Sequence, residues 1–310
     1  IRRPPRSTPS NSSAASDVYK RQALILGFLG VSNIHSQDFI QIKGSDTLVN
    51  LVQRLAEVYM EKHPNTAIAV TGGGSGVGIA ALIANRVAIA DASRPMKAKE
   101  KAAAKENGVI PYEIVVGIDG LSVIVNEKNP VKFLTIDQIG AIFRGEISNW
   151  VEVGGLNMPI SLYGRQANSG TYVFFQEHVL GKKNYSPRMK RMNGNAQIVE
   201  GIKADKAGIG YVGVGYVFDD KGNLYEGIEV LKVAADINTK PVTPLEADNV
   251  KSGRYPIARA LYQYTNGKPN GAVKDFIEFE LSAEGQKIVE EMGFYPVAGK
   301  YLEQNKKVGF

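Results

Sequence analysis

The chain has 310 residues, 44% of them hydrophobic and 22% charged, which suits folded domains and is enough length for two. It contains no cysteine, which excludes disulfides, thiolate metal sites and cysteine nucleophiles; its three histidines, His35, His63 and His178, stand in unrelated contexts that offer little to a histidine metal site or a catalytic triad. Of the net charge of +6, Arg2, Arg3, Arg6, Lys20, Arg21 and the single acid Asp17 account for +4, leaving 32 basic against 30 acidic residues in the rest, with no basic stripe of the kind nucleic acid requires.

Residues 1–22, "IRRPPRSTPSNSSAASDVYKRQ", have no apolar period and read as an adapter-derived segment outside the fold. "ALILGFLGVSNIHSQ" follows, an apolar run too short to span a bilayer but suited to the core of a truncated signal peptide over 23–36. A mature protein is then expected to begin near Gln37 or Asp38, outside the cytoplasm. From Phe39 onward short apolar strands alternate with amphipathic helices, the pattern of an α/β protein with largely parallel sheets. "FIQIKGS" predicts a strand, and Leu48, Leu51, Val52, Leu55 and Tyr59 predict a helix with Asp46 as its cap. "AIAVTGG", "GIAALIAN" and "VAIADAS" predict strand, helix and strand. The longest apolar runs, "YEIVVGI" and "LSVIVN", stand back to back around Asp119 and Gly120, a pair able to carry the chain from one sheet into another.

A second block follows Asn126: "TIDQIGAIF" as a helix, "PISLYGR" as a strand, "GTYVFFQEHVL" and "AQIVEGIKAD" as helices, then "GIGYVGV" as a strand. "AADINTKPVTPLEAD" is polar and proline-bearing and reads as a connector. "YPIARALYQYT", "AVKDFIEFEL" and "EGQKIVEEM" then predict a strand and two helices. These can complete the first domain and leave the middle block as an insertion.

Three loops share one design, in which a strand ends in glycine and hydroxyl residues just before a helix: "KGSDTL", "GGGSGVG" and "ANSGTY". Free N–H groups at a helix N-terminus and the helix dipole favour an anion, and glycine permits close backbone approach. Serine, threonine and aspartate also cap helices for structural reasons alone. Three such loops together with Arg165, whose planar fork suits a tetrahedral oxyanion, point to an anion site. Other phosphate motifs are absent: no G-x-x-x-x-G-K-[ST] occurs, and "GIGYVG" is followed by a strand-like run where a dinucleotide fold needs a helix. Ser169 lacks the G-x-S-x-G surroundings of a nucleophile and reads as a donor.

In this order "GSDTL", "GGGSGVGI", "ASRPM", "DGLSVIVN", "GRQANSGTYVFF" and "YPIARALY" resemble the periplasmic phosphate-binding proteins of the ABC-type phosphate uptake system, over nearly all of residues 38–300. The resemblance implies a type II periplasmic binding protein of two α/β lobes, each a mostly parallel sheet flanked by helices, joined by two crossover strands. Lobe 1 would comprise 38–117 plus 245–310 and lobe 2 residues 118–244. It further implies a monomeric, non-enzymatic receptor, without cofactor or metal, that binds inorganic phosphate in the periplasm and delivers it to an ABC-type membrane permease. Carried onto this sequence, the phosphate ligands are Ser45 and Thr47, Ser75 and Gly76, then Arg165, Ser169, Gly170 and Thr171. Better-known members place a proton-accepting aspartate after the third strand, and that position falls on Ser93. Asp119 is the candidate replacement, with Asp91 second. Arg94 is either a second positive donor or an ion-paired surface residue. The competing readings are a receptor for sulfate, molybdate or tungstate, a secreted hydrolase or phosphatase using Ser75 or Ser169, and a secreted adhesion protein that has lost its ligand.

Overall fold

A computed structural model of the chain describes residues 38–219 and 221–310. The expected adapter-derived segment and signal peptide lie outside the described residues. In chain order the strands are β1 (Asp38–Gly44), β2 (Thr66–Thr71), β3 (Ile89–Ala92), β4 (Pro111–Gly120), β5 (Ser122–Asn126) and β6 (Phe133–Thr135). They continue with β7 (Ser161–Arg165), β8 (Lys190–Met192), β9 (Gly208–Val212), β10 (Ile228–Val230), β11 (Lys232–Ala234) and β12 (Ala258–Asn266).

Two five-stranded sheets result, ordered β2-β1-β3-β12-β4 and β10-β5-β9-β7-β8, with β6 and β11 forming a small pair. Apolar side chains cover both faces of each sheet. On the first, the helix Val49–Lys62 buries Leu51, Val52, Leu55 and Tyr59 together with Phe276 and Val289, while Ile79, Leu82 and Ala104 cover the other face with Ala90, Ala92 and Val115. On the second, Phe143 and Phe175 pack on Tyr211, and Ile198, Val199 and Ile202 pack against Ile124 and Val212. Local sequence sets the helix ends. Thr135 caps the helix Ile136–Arg144 by accepting from Gln138 N, Gln138 reaches back to Thr135 N, and Gly145 ends it at φ +80°.

The two sheets are mixed where mostly parallel ones were expected. β1 runs parallel to β2 and β3, and β7 parallel to β8 and β9. The antiparallel pairs are those of the strands that carry the chain between sheets: β12 with β3 and β4, and β5 with β9 and β10. The chain passes from the first sheet to the second at Gly120–Leu121, as the back-to-back apolar runs predict, and returns in the polar connector between β11 and β12. β12 enters where β4 leaves, so Ala258 pairs with Gly120 and Arg259 lies directly opposite Asp119. That register delivers an ion pair to the seam between the sheets.

Candidate functional site

The loops picked out by the sequence converge. The first follows β1, the second opens the helix Ser75–Ile83, and the third joins β7 to the helix Gly170–His178. Ser45, Thr47, Ser75, Ser93, Arg165, Ser169 and Thr171 are all buried to 2% exposure or less. Ser93 is the hub: its hydroxyl accepts from Ser45 Oγ at 2.9 Å and lies 3.3 Å from Ser75 Oγ and 3.5 Å from Thr171 Oγ1. Its N–H donates to Ser75 Oγ at 3.0 Å. Across the seam, Thr47 Oγ1 and Thr171 Oγ1 are 3.0 Å apart. Ser169 caps its helix by accepting from Tyr172 N, and the Gly76 N–H donates to Asn168 O at 3.1 Å.

Two glycines make this approach possible. Gly74, which precedes the helix Ser75–Ile83, has φ +93°, and a Cβ there would stand 2.7 Å from Asn168 O. A Cβ on Gly170 would overlap the Ser75 hydroxyl and stand 2.7 Å from Ser93 Oγ. Two helix N-termini thereby face one cluster of hydroxyls. Gly170→Ala is expected to cost about 1–3 kcal/mol of closure, lowering anion affinity roughly 5- to 150-fold, which calorimetric titration measures.

Arg165 is held, not loose. Its Nη2 bonds Asp46 Oδ2 and, at 2.8 Å, Asn193 O, while its backbone N–H donates to Tyr211 OH. Its Nε and Nη1 are buried and have no acceptor among the described residues. Buried donors of a cation without an acceptor are costly, and an anion is one group that can satisfy them. Asp46 is thus not the helix cap expected of it. Leu48 precedes the helix Val49–Lys62 with no side-chain cap, and the Asp46 carboxylate instead accepts from Gly73 N at 2.7 Å and braces Arg165.

Sequence reasoning missed a second buried arginine. Arg259 donates to Asp119 Oδ2 from Nε at 3.0 Å and from Nη2 at 2.7 Å, to Ser93 O at 3.0 Å, and to Thr171 Oγ1 at 3.0 Å. Burial lowers the pKa of this guanidinium while the Asp119 carboxylate opposes that shift. The signal was present, a lone charge inside the apolar run "YPIARALY". Asp119 reaches the cluster through Arg259, and its Oδ1 accepts from Val214 N at 2.8 Å. Arg94, the other candidate donor, is buried rather than on the surface and is engaged elsewhere in a bidentate pair with Glu100 at 2.7 and 2.8 Å. Asp91 lies behind the cluster, across from Gln263 on β12.

Among the described residues no histidine partners a serine. His178 bonds Phe174 O within its helix, and His63, just past the helix Val49–Lys62, bonds Tyr59 O. The arrangement of two α/β units meeting at buried hydroxyls, helix N-termini and two arginines defines a binding protein that holds a small oxyanion.

Comparison with known proteins agrees. The sequence model of the PBP superfamily domain matches residues 9–284. The phosphate-binding protein PstS of Pseudomonas aeruginosa is 31% identical over 278 residues, covering 84% of each chain. PstS of Bacillus subtilis is 33% identical over 260 residues, covering 83% of this chain and 80% of its own. Among solved structures, a phosphate ABC transporter substrate-binding protein of Clostridium perfringens with bound phosphate superposes with a TM-score of 0.73 at 30% identity, over 84% of this chain and 100% of that one. The chain belongs to the PBP superfamily and, within it, to the family of PstS phosphate-binding proteins.

Proposed function

We propose that this protein captures inorganic phosphate between its two lobes outside the cytoplasm and delivers it to an ABC-type membrane permease. The observation that carries the reading is the pair of buried Arg165 donors without acceptors, at the end of β7 just before the loop that brings Thr171 to the hydroxyls of Thr47 and Ser93. A tetrahedral oxyanion satisfies both donors of the fork, and the helices opening at Ser75 and Gly170 bring their N-termini to the same hydroxyl cluster. The family's phosphate-bound member from Clostridium perfringens supports the choice of anion. In this reading the lobes are 38–117 plus 245–310 and 118–244, and they hinge at the Gly120–Leu121 passage and the connector before β12. The protein is a receptor without catalytic chemistry, exported to the periplasm and working as a monomer.

Within the site, Arg165 binds the anion directly, Gly76 and Gly170 admit it to the helix ends, and the serine and threonine hydroxyls complete its shell. Arg259 supplies the second positive charge and is anchored by Asp119. A carboxylate offers about four lone-pair positions, of which Arg259 and Val214 occupy three. In this reading the remaining one accepts the phosphate proton. Phosphate near neutral pH carries that proton and sulfate does not, so a buried carboxylate accepts from one and repels the other.

Calorimetric titration of residues 37–310 with phosphate and then sulfate, after unfolding and refolding, tests this. Tight one-to-one phosphate binding with no sulfate signal is expected. Equal binding of both makes the protein a general oxyanion receptor, and silence toward both rejects the carrier reading.

A further inference from the structure

Behind the hydroxyl cluster, on the face of the first sheet that packs against the helices Gly271–Leu281 and Ala283–Glu291, lie three fully buried polar side chains. Asp91 on β3 is 1% exposed, and Gln263 on β12 and Glu280 in the first of these helices are wholly buried. Gln263 sits opposite Asp91 in the strand register, and its Nε2 donates to Glu280 Oε1 at 3.1 Å. Four oxygens of this group have no donor among the described residues: both of Asp91, Oε2 of Glu280 and Oε1 of Gln263. A cluster of acceptors this deeply buried cannot be left unsatisfied without the full desolvation penalty of each group.

Among the described residues no cation answers them. On the elements packed around the group, Arg54 pairs with Glu57, Lys62 with Glu284, Lys274 with Glu278 and Lys287 with Glu291. Arg259 is committed to Asp119, Lys43 bonds Thr71, and Glu113 bonds Tyr264 and Gln304. Asp38, Asp275 and Glu290 add only further acids, and Tyr59 stacks on His63.

We infer that Asp91, Gln263 and Glu280 form a closed ring that holds two protons on the acid side of neutrality, one on each carboxyl. Gln263 Nε2 donates to Glu280 Oε1, protonated Glu280 donates from Oε2 to Asp91, and protonated Asp91 donates to Gln263 Oε1. Two protons so placed convert the unpartnered oxygens into donor–acceptor pairs. Desolvation acts in the same direction: it pushes the Asp91 carboxyl up to about 7, and burial together with the neighbouring Asp91 holds Glu280 well above the carboxylate range. The folded chain therefore holds protons that the unfolded chain has released, so this contribution is largest below the ordinary carboxylate pKa of about 4 and is lost as pH rises through about 7. The ring also touches the site's framework, because the Asp91 carbonyl accepts the Ser45 N–H at 2.9 Å.

The test does not pass through phosphate, so it stands apart from the functional reading. Infrared spectra of the wild-type protein just on the acid side of neutrality, where exposed carboxyls are ionised, are expected to show a protonated-carboxyl C=O band. Its absence overturns the proposal. Thermal unfolding of the wild type is expected to give a Tm that falls between pH 5 and pH 8. In the Asp91→Asn, Glu280→Gln double variant, whose amides supply the two N–H donors permanently, the band is lost and that part of the slope disappears. An unchanged slope in the variant rejects the ring, as does a wild-type Tm that rises with added metal ion at fixed pH while the variant's does not. Should the double variant not fold, the wild-type band alone decides.

Discussion

Arg165→Ala is expected to lose phosphate affinity by roughly 30-fold to several thousand-fold, the equivalent of about 2–5 kcal/mol for truncating one partner of a buried, hydrogen-bonded charge pair. The cause is twofold. The variant removes the Nε and Nη1 donors that lack a protein acceptor, and it leaves the Asp46 carboxylate without its cation beside the anion. Arg165→Ala with Asp46→Asn separates these contributions, since the second change removes the stranded charge. The double variant should recover part of the affinity but not the part owed to the fork. Arg165→Lys should fall between wild type and alanine, because an ammonium keeps the charge and loses the planar geometry. Titration calorimetry checks all three. Near-native binding by the alanine variant would place the phosphate site elsewhere.

The α/β character and the convergence of three loops were legible in the sequence because each rests on a local pattern: apolar period for the elements, glycine and hydroxyl residues before a helix for the loops. What the sequence could not show is which side chains meet across the fold. Asp46 has the spacing of a helix cap, yet its carboxylate turns to Gly73 and Arg165, partners 27 and 119 residues away. Arg259 lies in a run that reads as core, and only the β4–β12 register reveals its partner. Arg94 left two roles open in the sequence; the capping position of Glu100, which accepts from Lys97 N, explains why the ion pair takes it. The helices Ala98–Glu106 and Lys300–Val308 were illegible for a plainer reason. Each buries a single residue, Ala104 and Asn305 respectively, so neither carries an apolar stripe.

Asp119→Asn discriminates between two roles of one carboxylate. Asp119 is wholly buried and its pair with Arg259 is 2.7 Å long, so removing its charge leaves a guanidinium uncompensated in the interior. Breaking such a pair costs about 3–5 kcal/mol, and urea unfolding without added anion should show a loss approaching that size. Phosphate or sulfate should restore part of it, because an anion bound only by the folded state supplies the missing countercharge. Total anion binding therefore survives in the variant. Selectivity is the separate quantity: a site built around the phosphate proton can reject sulfate by roughly 10⁴-fold or more, and the asparagine has lost the charge that repels it. If Asp119 accepts that proton, the ratio of sulfate to phosphate Kd collapses in the variant. If the ratio is unchanged while stability falls, Asp119 serves only to hold Arg259 and is not the acceptor of the phosphate proton.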